Sequence, residues 1–181
     1  GPIALGMPWE NYVRLLTWVP LVIGVHMGVT LLVSGVSRQL FIPNLNLPVN
    51  LLGGLLGMIE IAIALSFIYG ALTRPAAAVL AFIWLVGTMV FGPLRLIEHT
   101  EILGVAFFLF VTGRGPLSFD MALDRLNKPI AALVPYAVPV LRVALGVGLT
   151  IVALTEKVWN LPMALAFLEE RPDAHVVLVG L

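Results

Sequence analysis

The feature that most constrains this chain is a series of apolar segments, each about as long as a membrane-spanning helix. Crossing roughly 30 Å of hydrocarbon takes about 20 apolar residues at 1.5 Å each, and residues 12–36, 49–72, 75–91, 94–112 and 136–159 meet or approach that length. A sixth segment is predicted to begin at Ala174, which suggests that the natural chain continues beyond residue 181. The sequence therefore predicts an all-α, polytopic transmembrane bundle.

Composition supports the same class. Hydrophobic residues make up 60% of the 181 residues and charged residues 11%, against roughly 45–50% and 25% in soluble domains. So few charges cannot cover a water-facing surface. The net charge is zero, and no cluster of Lys or Arg points to nucleic acid, so the expected surroundings are the lipid bilayer. The absence of cysteine excludes disulfides and thiolate ligands.

Polar breaks divide the chain into four parts. Residues 1–11 form an N-terminal segment that opens Gly1-Pro2, as a tag scar would. Residues 12–115 hold four transmembrane helices, with a non-helical or re-entrant connector, RQLFIPNLNLP, after the first. Residues 116–135 are predicted to be an amphipathic surface segment. Residues 136–181 hold a fifth helix and the start of a possible sixth.

Topology follows from the basic residues of the loops. The amino-terminal side collects five of them and the opposite side four, so the positive-inside rule favours a cytoplasmic amino terminus by one residue.

Glu60 is the clearest candidate for a functional group, because it lies near the middle of the second span. A carboxyl group at that depth must be protonated, hydrogen-bonded or hydrated. Gly53, Gly57 and Ala64 share its helix face, and such small-residue stripes allow close helix contact. We therefore expect Glu60 to face the bundle and to meet His26 or Arg38. A purely structural, neutral carboxyl is the alternative.

The stretch RLIEHTE concentrates further ionisable groups at the start of the fourth span. Starting that helix after Glu101 would leave it too short to cross, so the stretch is predicted to form its first two turns. At 100° per residue, Arg95, Glu98 and His99 then share one face with Glu101 beside it. They are expected to point inward, towards the first two helices. Local pairing near the headgroups is the alternative.

Two cofactor alternatives rest on weaker patterns. His26 and His99 could together ligate a haem iron, but no attachment motif accompanies them, and His26 alone is more typical of a packed core histidine. The residues Glu60, Glu98, His99 and Glu101 could form a metal site of oxygen and nitrogen ligands. Neither alternative is the preferred reading, and no metal site is predicted.

The motifs together resemble those of the DoxX family of small prokaryotic membrane proteins. That family has a four-helix core, and the resemblance covers about residues 12–125. The matching features are the Gly35–Arg38 spacing after the first helix (where the family more often has Lys), Gly53, Gly57 and Glu60 in the second, Glu98 and His99 opening the fourth, and GRGPLSFD ending in Asp120.

The resemblance implies a function as well as a fold. One branch of the family supplies membrane subunits of thiosulfate:quinone oxidoreductase, which implies a prokaryotic inner-membrane subunit that meets a quinone and a protein partner. Catalytic roles would fall to His26, Glu60, Glu98 and His99, and quinone binding to Arg38, Arg95 and Glu101. The alternative is a scaffold that anchors a partner protein, with the same residues serving helix packing.

Overall fold

A computed structural model of the chain describes residues 3–4, 7–42, 44–122 and 129–155. The two short strands Ile3–Ala4 and Met7–Pro8 pair antiparallel before the first helix. The helices are α1 (Trp9–Leu16), α2 (Val19–Val36), α3 (Leu51–Tyr69), α4 (Thr73–Phe91), α5 (Pro93–Ile97), α6 (Glu101–Thr112) and α7 (Val134–Leu154). A short 3₁₀ helix, Phe119–Ala122, follows α6.

The transmembrane helix bundle is confirmed. Four segments are long and apolar enough to cross a membrane: Arg14–Val36, Leu51–Tyr69, Thr73–Phe91 and Val134–Leu154. Helices α2, α3, α4 and α6 form a four-helix core, and α7 packs against α6 on its outside. The predicted architecture of four core helices and one further helix therefore holds.

Two predicted helices are broken in the structure. The first span is not one helix over 12–36, because a turn at Thr17 and Trp18 separates α1 from α2. The fourth span is not one helix over 94–112 but α5, a turn at residues 98–100, and the 12-residue α6. Residues 156–159 of the predicted fifth span, the segment from Ala174, and residues 123–128 of the predicted amphipathic segment lie outside the described residues.

Glycines set the closest approach between α2 and α3. A Cβ atom at Gly28 would lie 2.9 Å from the carbonyl oxygen of Ala64, and one at Gly35 would lie 3.3 Å from that of Gly57. Only hydrogen at these positions lets the two backbones meet, as is usual for helices packed in lipid. The small-residue stripe of α3 thus faces another helix, as the sequence predicts, and the structure identifies that helix as α2.

The core lies between these four helices and is almost entirely apolar. Its largest fully buried side chains include Leu31, Phe67, Leu80, Ile83 and Leu109. Because lipid is as apolar as these side chains, tight packing and satisfied polar groups must hold the bundle together.

Candidate functional site

The connector between α2 and α3 folds back into the bundle. Residues Gln39 and Asn46 form an antiparallel bridge, and the Leu40 amide donates to the Leu45 carbonyl at 2.8 Å. The apolar side chains of this loop are buried, namely Leu40, Phe41, Leu45 and Leu47. The connector is therefore re-entrant, as the sequence predicts, and it fills space between helices instead of lying on the surface.

Glu60 holds the inner part of this loop. Its side chain is 0% exposed, and its Oε1 accepts a 2.8 Å hydrogen bond from the amide of Phe41. Phe41 has φ +64°, a left-handed conformation that is uncommon for an aromatic residue. Glu60 lies nine residues into α3, or about 13 Å from its start. The carboxyl group thus anchors a strained loop deep in the bundle.

The inward orientation of Glu60 is confirmed, but both predicted partners are wrong. His26 is exposed on the outer face of α2, and Arg38 is exposed where the connector begins. The partner is a backbone amide of the connector, which no helix-to-helix reasoning would find. The other oxygen of Glu60, Oε2, is buried and has no hydrogen-bond partner in the described part of the chain.

The kink before α6 rearranges the RLIEHTE stretch. The Thr100 hydroxyl donates to the Ile97 carbonyl at 2.5 Å, and the Trp84 indole N–H from α4 donates to the His99 carbonyl at 3.1 Å. Threonine hydroxyls bonded to the preceding turn favour helix bending. The predicted shared face is therefore wrong: Arg95 is exposed on α5, while His99 and Glu101 are half-buried beyond the turn.

His99 and Glu101 form a hydrogen-bonded pair of side chains at the kink. The distance from His99 Nδ1 to Glu101 Oε1 is 3.1 Å, and the two side chains are 18% and 32% exposed. Glu101 lies against α7, where a Cβ at Gly148 would sit 2.8 Å from its Oε2. Glu101 therefore faces α7. Arg95, which was predicted to point towards the first two helices with Glu98 and His99, is exposed instead. Glu98 is half-buried in the same turn.

A groove of about 770 Å³ runs between α4, α6 and α7 beside this turn. Small side chains leave the space for this groove, namely Ala77, Ala78 and Ala81 on α4 and Gly104 on α6. Its other walls are apolar side chains such as Leu103, Phe107, Phe110, Val140, Val143 and Val147, and Thr100 supplies its polar end. Thr100 lies between His99 and Glu101 in the chain, so this end of the groove lies beside the His99–Glu101 pair.

Arg114 and Asp120 form a polar clamp at the opposite end of the bundle. Arg114 is buried and donates to the carbonyls of Phe67 and Ile68 at the end of α3, the first at 3.0 Å, and to that of Leu117 at 2.8 Å. Burial lowers its pKa, yet a guanidinium stays protonated. Its positive charge suits the carbonyl end of a helix.

Asp120 completes this clamp on the next helix. Its two carboxylate oxygens accept hydrogen bonds from the amides of Leu72 and Thr73 at 2.7 and 3.0 Å, where α4 begins. The segment GRGPLSFD thus caps the end of α3 and the start of α4 together. The sequence singled out GRGPLSFD only as part of the family resemblance and gave Arg114 and Asp120 no capping role.

The predicted site residues do not form one cluster. Glu60 lies in the core, His26, Arg38 and Arg95 are exposed, and His99, Glu101 and Glu98 gather at the kink. Within the described ranges, no three His, Cys, Asp or Glu side chains are close enough to hold a metal ion. The two histidines considered for haem lie in different surroundings, since His26 is exposed on α2 and His99 is half-buried at the kink.

Comparison with known proteins gives no relative. No family model, no curated protein and no solved structure matches this chain. The resemblance to the DoxX family therefore stays a prediction from the sequence motifs.

Proposed function

We propose that this chain is the integral membrane subunit of a redox complex, and that it binds a quinone in the groove between α4, α6 and α7. The quinone tail would lie along the apolar walls, and the head group would lie at Thr100. The DoxX resemblance supports the redox assignment, and the groove supports the ligand.

The observation that carries this proposal is the position of the groove. It is apolar along its length and ends at the kink that holds the His99–Glu101 pair. A quinone has an apolar and a polar part that match this groove, because it combines a long hydrocarbon tail with two carbonyl oxygens that accept hydrogen bonds. A groove about 770 Å³ in volume falls within the range of roughly 300–1,000 Å³ typical of small-molecule sites.

The chemistry assigned to the kink is proton transfer. Reduction of a quinone to a quinol consumes two electrons and two protons. The electrons would come from a redox protein partner. Histidine and carboxylate side chains are the groups that most often donate and accept protons in enzymes. Thr100, His99 and Glu101 would orient the head group and deliver protons, with Glu98 as the next acid towards the surface.

A scaffold function is the second candidate, and a different observation favours it. Glu60, Arg114 and Asp120 are buried in the described structure, and each forms hydrogen bonds with backbone groups that stabilise the fold. A chain that only anchors a partner would need these contacts and no quinone. Under this alternative, the groove would hold lipid or a partner helix.

We place the chain in the inner membrane of a prokaryote, with a cytoplasmic amino terminus. The connector, α5 and the end of α7 would then lie on the opposite side. The chain contains no cysteine, so single cysteines can be introduced and labelled with an impermeant maleimide. Cysteine at Leu117 should react only after the membrane is opened, and cysteine at Val49 should react in intact cells. The reverse pattern would invert the topology.

Quinone binding can be followed by quenching of tryptophan fluorescence in purified protein. Ala78→Phe fills the groove from an exposed position on α4. The new side chain should displace roughly 60 Å² of apolar contact with the quinone, which weakens binding by about 1.5 kcal/mol and raises the Kd about tenfold. The matched control is Ala62→Phe, on α3 outside the groove. Wild-type protein that shows no saturable quenching would favour the scaffold.

A further inference from the structure

A second cavity, separate from the quinone groove, lies where α2 ends and α3 begins. It measures about 650 Å³. Its walls come from the end of α2, the connector and the first half of α3: Gly35, Val36, Arg38, Leu47, Pro48, Val49, Asn50, Gly53, Gly54, Gly57, Met58 and Ile61. Because α2 and α3 are spanning segments, this cavity sits at a membrane surface.

Arg38 gives this cavity a positive charge. No lining residue is acidic, and the described structure contains no carboxylate paired with Arg38. The Asn50 side chain accepts the Gly53 amide through its Oδ1, which leaves its NH₂ group as a further donor. The polar part of the cavity therefore favours an anionic ligand.

The backbone of Arg38 is held in a conformation that arginine rarely adopts. Its φ is +55°, where helices usually end in glycine or asparagine. Its amide donates to the Gly35 carbonyl, and its own carbonyl accepts from the Leu47 amide at 2.9 Å. Such outliers concentrate at binding sites. Arginine at this position therefore destabilises the fold, which indicates that its side chain has a function other than folding.

Gly54 leaves room for a ligand in this cavity. Its neighbour Gly53 is explained by packing, since a Cβ there would lie 2.0 Å from the Pro48 carbonyl oxygen. A Cβ at Gly54 would meet nothing within 4 Å. The open space above Gly54 belongs to the cavity, so a ligand can lie directly against the backbone of α3 there.

We propose that this cavity binds one anionic phospholipid. The phosphate would contact the Arg38 guanidinium and the Asn50 amide, and an acyl chain would lie over Gly54. The apolar walls fit this ligand, because Val36 and Met58 are 68% and 70% exposed beside the charge. A soluble anion would use the charge but leave the apolar walls open to water.

The test is native mass spectrometry of the full chain with phosphatidylglycerol or phosphatidylcholine carrying the same acyl chains. Both lipids carry the phosphate, but the choline cation of phosphatidylcholine would lie beside the positive Arg38, so wild-type protein should bind one phosphatidylglycerol about tenfold more tightly than phosphatidylcholine. Arg38→Gln should abolish that preference, and Arg38→Lys should retain part of it. A preference that survives Arg38→Gln would overturn the proposal.

Gly54→Leu tests the shape of the cavity separately from its charge. It should weaken binding of both lipids about tenfold, because the new side chain occupies the cavity. Gly146→Leu is the matched control, since Gly146 is also a helical glycine with nothing near its Cβ position, but on α7. Equal lipid binding by these two variants would overturn the proposal. Displacement of the lipid by excess sodium phosphate would instead establish a site for soluble anions.

Discussion

The contact between Glu60 and the connector gives the sharpest prediction about the fold. Glu60→Leu removes the acceptor of the Phe41 amide and leaves that N–H unsatisfied in an apolar interior. An orphaned buried group of this kind costs about 2–3 kcal/mol. Glu60→Gln keeps a carbonyl oxygen for the Phe41 amide, so its cost should stay below about 1 kcal/mol.

The loss should appear mainly as opening of the connector, because Glu60 binds no other described group. Trypsin cleavage after Arg38 reports that opening. If cleavage follows the open population, about 2–3 kcal/mol corresponds to cleavage about 30 to 140 times faster in Glu60→Leu than in wild type. Cleavage after Arg14, which lies exposed on α1, provides an internal control that should not change.

The two variants also separate a structural role for Glu60 from a catalytic one. Equal cleavage rates in Glu60→Leu and Glu60→Gln would refute the reasoning, because they would show that the acceptor does not hold the loop. If Glu60→Gln keeps the connector closed but lowers quinone-dependent turnover, the carboxyl group also carries protons. Normal turnover in Glu60→Gln would show that the carboxyl group of Glu60 only holds the connector in place.

The remaining predictions concern the clamp, the kink and the contact between α6 and α7. Asp120→Ala should lower the free energy of unfolding by about 3 kcal/mol in SDS titration, since two amides lose a charged acceptor, whereas Glu10→Ala on exposed α1 should change it little. His99→Ala and Glu98→Gln should each lower quinone-dependent turnover at least tenfold while leaving assembly with the partner intact; lost assembly with normal turnover would make the kink structural. Gly104→Leu should separate α7 from α6, because even a Cβ atom at Gly104 would lie 2.6 Å from the Cβ of Ala144. The separation should be measurable as a fall in thermal stability.

Helix membership and depth could be predicted from the sequence because they depend on local composition. An apolar segment bounded by Gly, Pro and Asn must span or pack, so the placement of Glu60 inside the bundle followed from its position in the second span. The partner of Glu60 could not be predicted in this way, because the contact depends on how far a non-helical loop enters the bundle. No periodicity encodes such a contact.

The orientation of His26 shows a signal that the sequence contained and the prediction missed. Gly24, Gly28 and Gly35 fall within roughly 60° of one another on α2, and this stripe packs on α3. His26 lies two residues from Gly24 and Gly28, or roughly 200° around the helix. Reading the glycine stripe first would have placed His26 on the outer face.

The kink could not be predicted for a different reason. One helix from Leu94 onwards was predicted because a start after Glu101 leaves too few residues to cross the membrane. The break depends on the Thr100 hydroxyl and on an indole N–H from another helix, and the second is a tertiary contact. It changes which side chains meet, bringing His99 to Glu101 and leaving Arg95 exposed.

Photolabelling with an azido-quinone, followed by peptide mapping, tests the central claim most directly. The account predicts saturable labelling of the three groove walls, residues 77–81, 100–107 and 139–147, which excess unlabelled quinone suppresses. The exposed face of α3 around Ala62, which lines a different apolar groove, should not be labelled. Equal, unsaturable labelling of both surfaces would show that the quinone merely dissolves in the surrounding lipid, and it would contradict a quinone site in this protein.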